Sequence, residues 1–130
     1  NIKGIDILPK NIVCLGRLSP KQLKTYYSET QSYLQLSNFE GFGVAICEAM
    51  LCNCVPIVSD VNYLPIIAGE SGFVLNRRDS NLLVDLINSS LKVDLSKLGD
   101  MARMRIEKEF PVSKRKEMLI SALKDIKNTF

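Results

Sequence analysis

The sequence predicts an α/β fold. It reads as a doubly wound half-domain with a parallel sheet of about four strands, flanked by helices and continued by a helical C-terminal extension. Two observations lead there. Short β-branched or alternating runs are separated by stretches of helical composition, and strands alternating with helices imply βαβ units and a parallel sheet. Beyond Asp79, apolar residues recur only at helical spacing. A chain of 130 residues, 46% apolar and 24% charged, is one domain and can bury a core without staples.

The elements follow in order. Residues 11–15 (Asn-Ile-Val-Cys-Leu) form an apolar run stopped by Gly16, the pattern of a first strand. Ser19 followed by Pro20 is an N-cap with proline at the first helical position. That helix runs to about Ser28, with Leu23 and Tyr26/Tyr27 as its inward face. Residues 32–36 alternate as a second strand, and residues 37–42 form a loop. Residues 43 to about 52 are helical in composition, through Val44, Ala45, Cys47, Ala49, Met50 and Leu51. Val55–Ser59 is a third strand, with Pro56 near its start, where a strand tolerates it. Residues 64–68 make a short helical turn ended by Gly69, and residues 72–75 a fourth strand. Asp79 or Ser80 then caps a helix carrying Leu82, Leu83, Leu86, Ile87 and Leu91. Leu95, Leu98, Met101, Ala102 and Ile106 form the next stripe, broken before Pro111. Ser113 caps a last helix with Met118, Leu119, Ala122, Leu123 and Ile126.

Composition excludes several chemistries. With no histidine, the chain holds neither a Ser-His-Asp triad nor a His-metal site. No metal site is expected, because there is no Asp-x-Asp and no complete Cys ligand set. Cys14, Cys47, Cys52 and Cys54 do not match a zinc spacing, and without a secretory signal they read as buried free thiols. No apolar run approaches the ~20 residues that span a bilayer. The start, Asn1-Ile2-Lys3-Gly4, has neither Met nor a signal-peptide core and reads as a segment of a longer chain. The net charge of +3 is uneven: no Lys or Arg occurs between Thr25 and Asn76, so an anion held there needs backbone N–H groups or another part of the protein. Arg103, Arg105, Lys108, Lys114, Arg115 and Lys116 are either a solvated face with interleaved Glu107, Glu109 and Glu117, or a contact for an anionic membrane surface. Nucleic acid is not an expected partner, since aromatics are not interleaved among the basic residues.

The candidate site is the stretch from Ser37 to Met50. It joins the carboxyl end of a strand to the start of a helix, where ligands bind in open parallel sheets. Glu40 lies in the loop. Glu48 lies about five residues into the helix, roughly 7–8 Å along its axis. Gly41 and Gly43 allow close approach and leave N–H groups free, and the helix N-terminus adds positive partial charge. Carboxylates accept from sugar hydroxyls and N–H groups donate to oxygens, so the pattern suits a nucleotide sugar. The same residues also suit a bare capping device.

Glu40-Gly41-Phe42-Gly43 through Glu48-Ala49-Met50 resembles the Glu-x7-Glu signature of family 4 (group 1) retaining glycosyltransferases. The likeness extends to Tyr26-Tyr27-Ser28-Glu29 and residues 32–37 before the motif. After it come residues 51–60, Leu64-Pro65 and Glu70-Ser71-Gly72-Phe73-Val74-Leu75. Leu36 stands where proline is usual, Asn53 where glycine is frequent, and Ile66 where the Glu of a Pro-Glu pair is usual. Asn tolerates left-handed backbone, so the turn at Asn53 can survive.

The resemblance implies a GT-B fold of two Rossmann-like lobes, with residues 1–130 as part of the C-terminal nucleotide-sugar-binding domain. It implies Glu40 at the donor sugar's reacting centre, as nucleophile or as stabiliser. It places Gly41 in the donor site, the N–H groups of Phe42, Gly43 and Val44 on sugar and diphosphate, and Glu48 on the ribose. Gly16, Arg17 and Leu18 would fall in the base-contacting loop. They also resemble an earlier Gly-Arg…Lys segment that holds the diphosphate, but the motif begins too soon after Arg17 for a complete domain to intervene. The implied reaction is retaining transfer from a nucleoside-diphosphate sugar, with no cofactor, to a glycan or lipid acceptor. The implied partner is the N-terminal lobe, and the expected place is cytoplasmic, with a peripheral contact at the inner membrane face as the alternative to a solvated basic tail. The other readings are a non-catalytic nucleotide-sugar-binding or assembly module, and a GT-B nucleotide-sugar epimerase.

Overall fold

The computed structural model describes residues 8–129, so Asn1-Ile2-Lys3-Gly4 lie outside the described residues. The first helix, α1 (Pro20–Glu29), begins where Ser19 and Pro20 place it. The Gln22 N–H donates to Ser19 Oγ at 3.4 Å, and the Ser19 N–H donates to Gln22 Oε1 at 3.0 Å. That reciprocal box satisfies two donors the helix end would otherwise leave open. Tyr27 is buried and Tyr26 is exposed, so only one of the two tyrosines expected to face inward does so. Adjacent helical residues point about 100° apart, and one narrow contact face cannot take both.

Strands β1 (Ser32–Gln35), β2 (Val55–Ser59) and β3 (Phe73–Leu75) form one parallel sheet in that order. Ser32 stands opposite Val55, and Ile57 opposite Phe73. Each parallel step needs a crossover. The first is α2 (Val44–Leu51); the second is α3 (Leu64–Ala68) with a 3-10 turn (Gly69–Ser71). Asp79 caps α4 (Ser80–Ser90), and Asp94 caps α5 (Leu95–Glu109). The last helix, α6 (Val112–Thr129), opens before Ser113, which lies inside its first turn instead of capping it.

The sheet has three strands, not four, among the described residues. Residues 11–15 are not a strand; Ile12, Val13 and Leu15 are exposed there. A strand exists only with a ladder partner, and this segment pairs with none of β1, β2 and β3. Its Cys14 is exposed too, against the expectation of a buried thiol; Cys54 is buried, and Cys47 and Cys52 are half-buried. Leu82 of α4 and Leu91, just after it, are exposed, as are Met101 of α5 and Met118 and Leu119 of α6. Ala122, Leu123 and Ile126 lie outside the described side chains.

Every residue of β2 is buried. Proline inside a central strand is unusual because it donates nothing to the ladder. Here the Val55 N–H points to β1, donating to the Gln31 carbonyl at 2.9 Å. Pro56 therefore faces the other side, where pairing with β3 begins only at Ile57. Gly72 lies against Pro56 there; an added Cβ would come within 2.6 Å of its ring and its carbonyl oxygen.

The main core gathers Ile46 and Met50 of α2, Val58 of β2, Leu64, Ile67 and Ala68 of α3, and Ala102 and Ile106 of α5. A second cluster joins Tyr27, Ala49 and Cys54, with the Tyr27 and Tyr33 rings edge-on at 5.5 Å. Helix α5 packs against α2, and its Gly99 rests on the carbonyl of Asn53 in the turn after α2. Asn53 adopts φ +65°, the left-handed backbone expected of it, and its side-chain amide donates to Asp100 at 2.7 Å. Any side chain at position 99 would fall on that carbonyl. Gly99→Ala is expected to lower folding stability by about 1–3 kcal/mol, the usual cost of overpacking. Denaturant unfolding checks it, and an unchanged midpoint would mean that α5 does not bear on the β2 entry turn.

Candidate functional site

The candidate residues meet at the carboxyl end of β1. Strand residues alternate faces, so Tyr33 and Gln35 share one and Leu34 points to the other. Gln35 is the last strand residue, and the chain then turns out through residues 36–43 into α2. Glu40 sits in this turn, half-buried. The Gln35 side-chain amide donates to Glu40 Oε2 at 2.5 Å, and Ser37 Oγ donates to the same oxygen at 3.3 Å. The Gly41 N–H donates to Glu40 Oε1 at 3.2 Å. That N–H is therefore engaged within the loop and is not free for a ligand.

The turn is braced from the next strand. Ser59, ending β2, donates through its hydroxyl to the Ser37 carbonyl at 2.8 Å. Asn62 donates its side-chain amide to the Glu40 main-chain carbonyl, from a backbone at φ +47°. Non-glycine residues hold that left-handed conformation only where the surroundings favour it. Phe42 packs between Tyr63 and Phe110, with ring centres at 5.9 and 5.8 Å. Gly43 closes the turn as the N-cap of α2 with φ +91° and ψ +54°. No side chain caps α2, so no side chain takes up its first-turn N–H groups, and Phe42 and Val44 at that end are exposed. Such an end attracts anions and hydroxyl oxygens.

Glu48 lies on the same helix and is exposed. It and Glu40 act on a common neighbour. Burial raises the pKa of the Tyr33 phenol; the Tyr27 hydroxyl offsets this in part, and the Glu40 and Glu48 carboxylates both add to the rise. Burial is also the main cause that pushes Tyr27 up to about 12, with Tyr33 and then Glu48 contributing. Burial and then Glu48 raise the Cys47 thiol. Burial pushes Cys54 up to about 11, with Cys52 adding to it. These thiols are protonated at neutral pH and suit packing better than nucleophilic chemistry.

The structure thus brings together Glu40, Gly41, Phe42, Gly43, Val44 and Glu48. Gly16, Arg17 and Leu18 stand apart; among the described residues no hydrogen bond joins them to this turn. Sequence reasoning missed Gln35, Asn62, Tyr63 and Phe110. It also missed Arg78, after β3, which donates to the Leu36 carbonyl at 3.4 Å. A small hollow of about 110 Å³ opens there, at the carboxyl ends of all three strands, between Ser37, Asp60 and Arg78. A larger one, of about 550 Å³, lies at the opposite end of the sheet beside Lys24, Gln31, Asn53 and Arg103. In open α/β sheets ligands bind at the carboxyl ends, and size alone does not move the candidate site.

Three cations of the basic tail are engaged within the chain. Arg105 donates to the Ile66 and Ile67 carbonyls at 2.5 and 2.9 Å, Arg103 pairs with Glu107 at 2.9 Å, and Lys114 pairs with Glu109 at 3.3 Å. Among the described residues no helix is long and apolar enough to cross a membrane, and no three His, Cys, Asp or Glu side chains gather as metal ligands.

Comparisons with known proteins point the same way. Residues 7–109 match the family model described as glycosyl transferases group 1. The chain is 32% identical over 80 residues to an O-antigen chain mannosyltransferase B of Escherichia coli, covering 62% of this chain and 21% of that protein. It is 34% identical over 73 residues to a GDP-mannose:cellobiosyl-diphosphopolyprenol alpha-mannosyltransferase of Xanthomonas oryzae pv. oryzae, covering 55% of this chain and 19% of that protein. A trehalose synthase of Pyrococcus horikoshii is 30% identical over 127 residues, covering 95% of this chain and 30% of that protein. The chain therefore spans about a fifth to a third of these relatives. A sucrose-phosphate synthase from Thermosynechococcus elongatus superposes with a TM-score of 0.73 over 89% of this chain and 30% of that one; at 24% identity it shows a shared GT-B-like fold. With the motif loop set at the end of a parallel strand and most of its length inside the family model, the chain belongs to the glycosyl transferases group 1 family.

Proposed function

We propose that this chain is part of the C-terminal, donor-binding domain of an enzyme that transfers a sugar from a nucleoside diphosphate to an acceptor hydroxyl, with retention of configuration. One observation carries the reading. A braced carboxylate, Glu40, stands beside the uncapped N-terminus of α2, and a second carboxylate, Glu48, lies on that same helix. In this reading Glu40 meets the sugar at the reacting carbon, as nucleophile or as stabiliser of an oxocarbenium-like transition state. Negative charge then grows on the leaving diphosphate. Backbone N–H groups of Phe42, Gly43 and Val44 are aimed where that charge develops, which is the arrangement that lowers such barriers. Glu48 accepts from the ribose hydroxyls, and Gly16, Arg17 and Leu18 lie toward the base. Further cations for the diphosphate, and the acceptor lobe, come from the remainder of a longer protein, in line with the share of its relatives that the chain spans. The relatives' names favour a GDP-sugar donor and a glycan or diphosphopolyprenol-linked acceptor.

In the full-length protein, Glu40→Gln is expected to lower turnover on the order of 100- to 1,000-fold, the scale of a lost transition-state contact, with the melting temperature kept. Steady-state assay with GDP-mannose and UDP-glucose as donors checks this; unchanged turnover would leave a non-catalytic binding module as the better reading. Glu48→Ala removes hydrogen bonds to a charged acceptor, each contributing about 1.5–3 kcal/mol. Calorimetric titration should show GDP or UDP binding weakened about 10- to 100-fold, and equal affinities would remove Glu48 from the nucleotide site.

A further inference from the structure

We infer that Gln35 is a positioning residue for Glu40, its side-chain amide holding the carboxylate in the turn that leads into α2 through a hydrogen bond that the Tyr33 hydroxyl orients. The inference rests on the proposed role of Glu40. A carboxylate only accepts, so the amide must present its nitrogen to Glu40 and its oxygen away. The oxygen then faces Tyr33, whose hydroxyl donates to it at 3.2 Å. Tyr33 and Gln35 stand two residues apart on one face of β1, so the strand's own alternation builds the pair. Tyr33 is in turn packed edge-on against Tyr27 of α1. A rigid element thus reaches, through two side chains, the group proposed to meet the substrate.

Gln35 is half-buried at the end of β1, and both ends of its amide are engaged, the nitrogen by Glu40 and the oxygen by Tyr33. The titratable groups that act on Tyr33 are Tyr27 from α1, Glu40 from the loop, Glu48 from α2 and Cys54 before β2, and Arg78, after β3, donates to the neighbouring Leu36 carbonyl. Ser37 and the Gly41 N–H complete the shell of Glu40. Of these donor groups, the Gln35 amide is the one whose own side chain accepts from a second side chain among the described hydrogen bonds.

The test uses the full-length protein and two variants beside Glu40→Gln. Gln35→Met keeps the bulk and removes the donor. It should keep the melting temperature and the donor KM while kcat falls about tenfold or more, the pattern of a contact that matters in the transition state. Gln35→Glu keeps the shape and places a second carboxylate against Glu40. Two carboxylates in contact share a proton, so the acidic limb of the kcat–pH profile should move up by about one unit or more, with activity regained as pH rises. Wild-type kcat and pH profile in both variants, together with an inactive Glu40→Gln, would overturn the Gln35 assignment and leave the proposed function standing. Full turnover in Glu40→Gln would overturn both. If Gln35→Glu does not fold, the kcat-against-KM split of Gln35→Met decides.

Discussion

Val55–Ser59 has no exposed residue, and the rest of the molecule is arranged to keep it so. A parallel strand buried on both faces needs helices over it and a neighbour on each edge. β1 and β3 supply the edges, while α2, α3 and α5 supply the cover. The demand explains features that look odd in isolation. Pro56 is admitted because its missing donor faces the side where pairing with β3 has not begun. The small residues Gly72 and Gly99 stand where the backbone comes too close for a side chain.

The site inherits its rigidity from that arrangement. Strands that share a direction release their loops at the same end. The loop after β1 therefore lies against the loop after β2, and the Ser59 and Asn62 bonds join the two. Helix α3 leaves its last carbonyls to be satisfied, and Arg105 of α5 donates to them. A cation that sequence composition assigned to a surface thus works as a staple. Just past the C-terminal end of the same helix, Phe110 packs edge-on against Phe42. The motif loop is held by its own residues, by β2 and by α5.

Some of this was legible in the linear sequence and some was not, for reasons that can be named. The boundaries of α1, β2 and α3 follow from local signals: a capping box, a β-branched run, a proline entry and a glycine stop. The span from Glu40 to Glu48 was legible because both carboxylates lie in one turn and the helix that follows it, where spacing translates directly into geometry. Residues 11–15 were misread because an apolar run marks a segment ready to pair and does not create a partner. The bracing residues were invisible because Asn62, Tyr63, Arg105 and Phe110 reach their partners across crossovers, at separations that follow no helical or strand period.

The sequence by itself determined the α/β class, the order of most elements and the place of the carboxylate loop at a strand–helix junction. Each depends on residues close together in the chain. Only the tertiary structure decided the number of paired strands, which tyrosine of α1 turns inward, and which groups grip Glu40. Those outcomes depend on distant segments arriving at the same point, and the packing of the buried strand β2 is what brings them there.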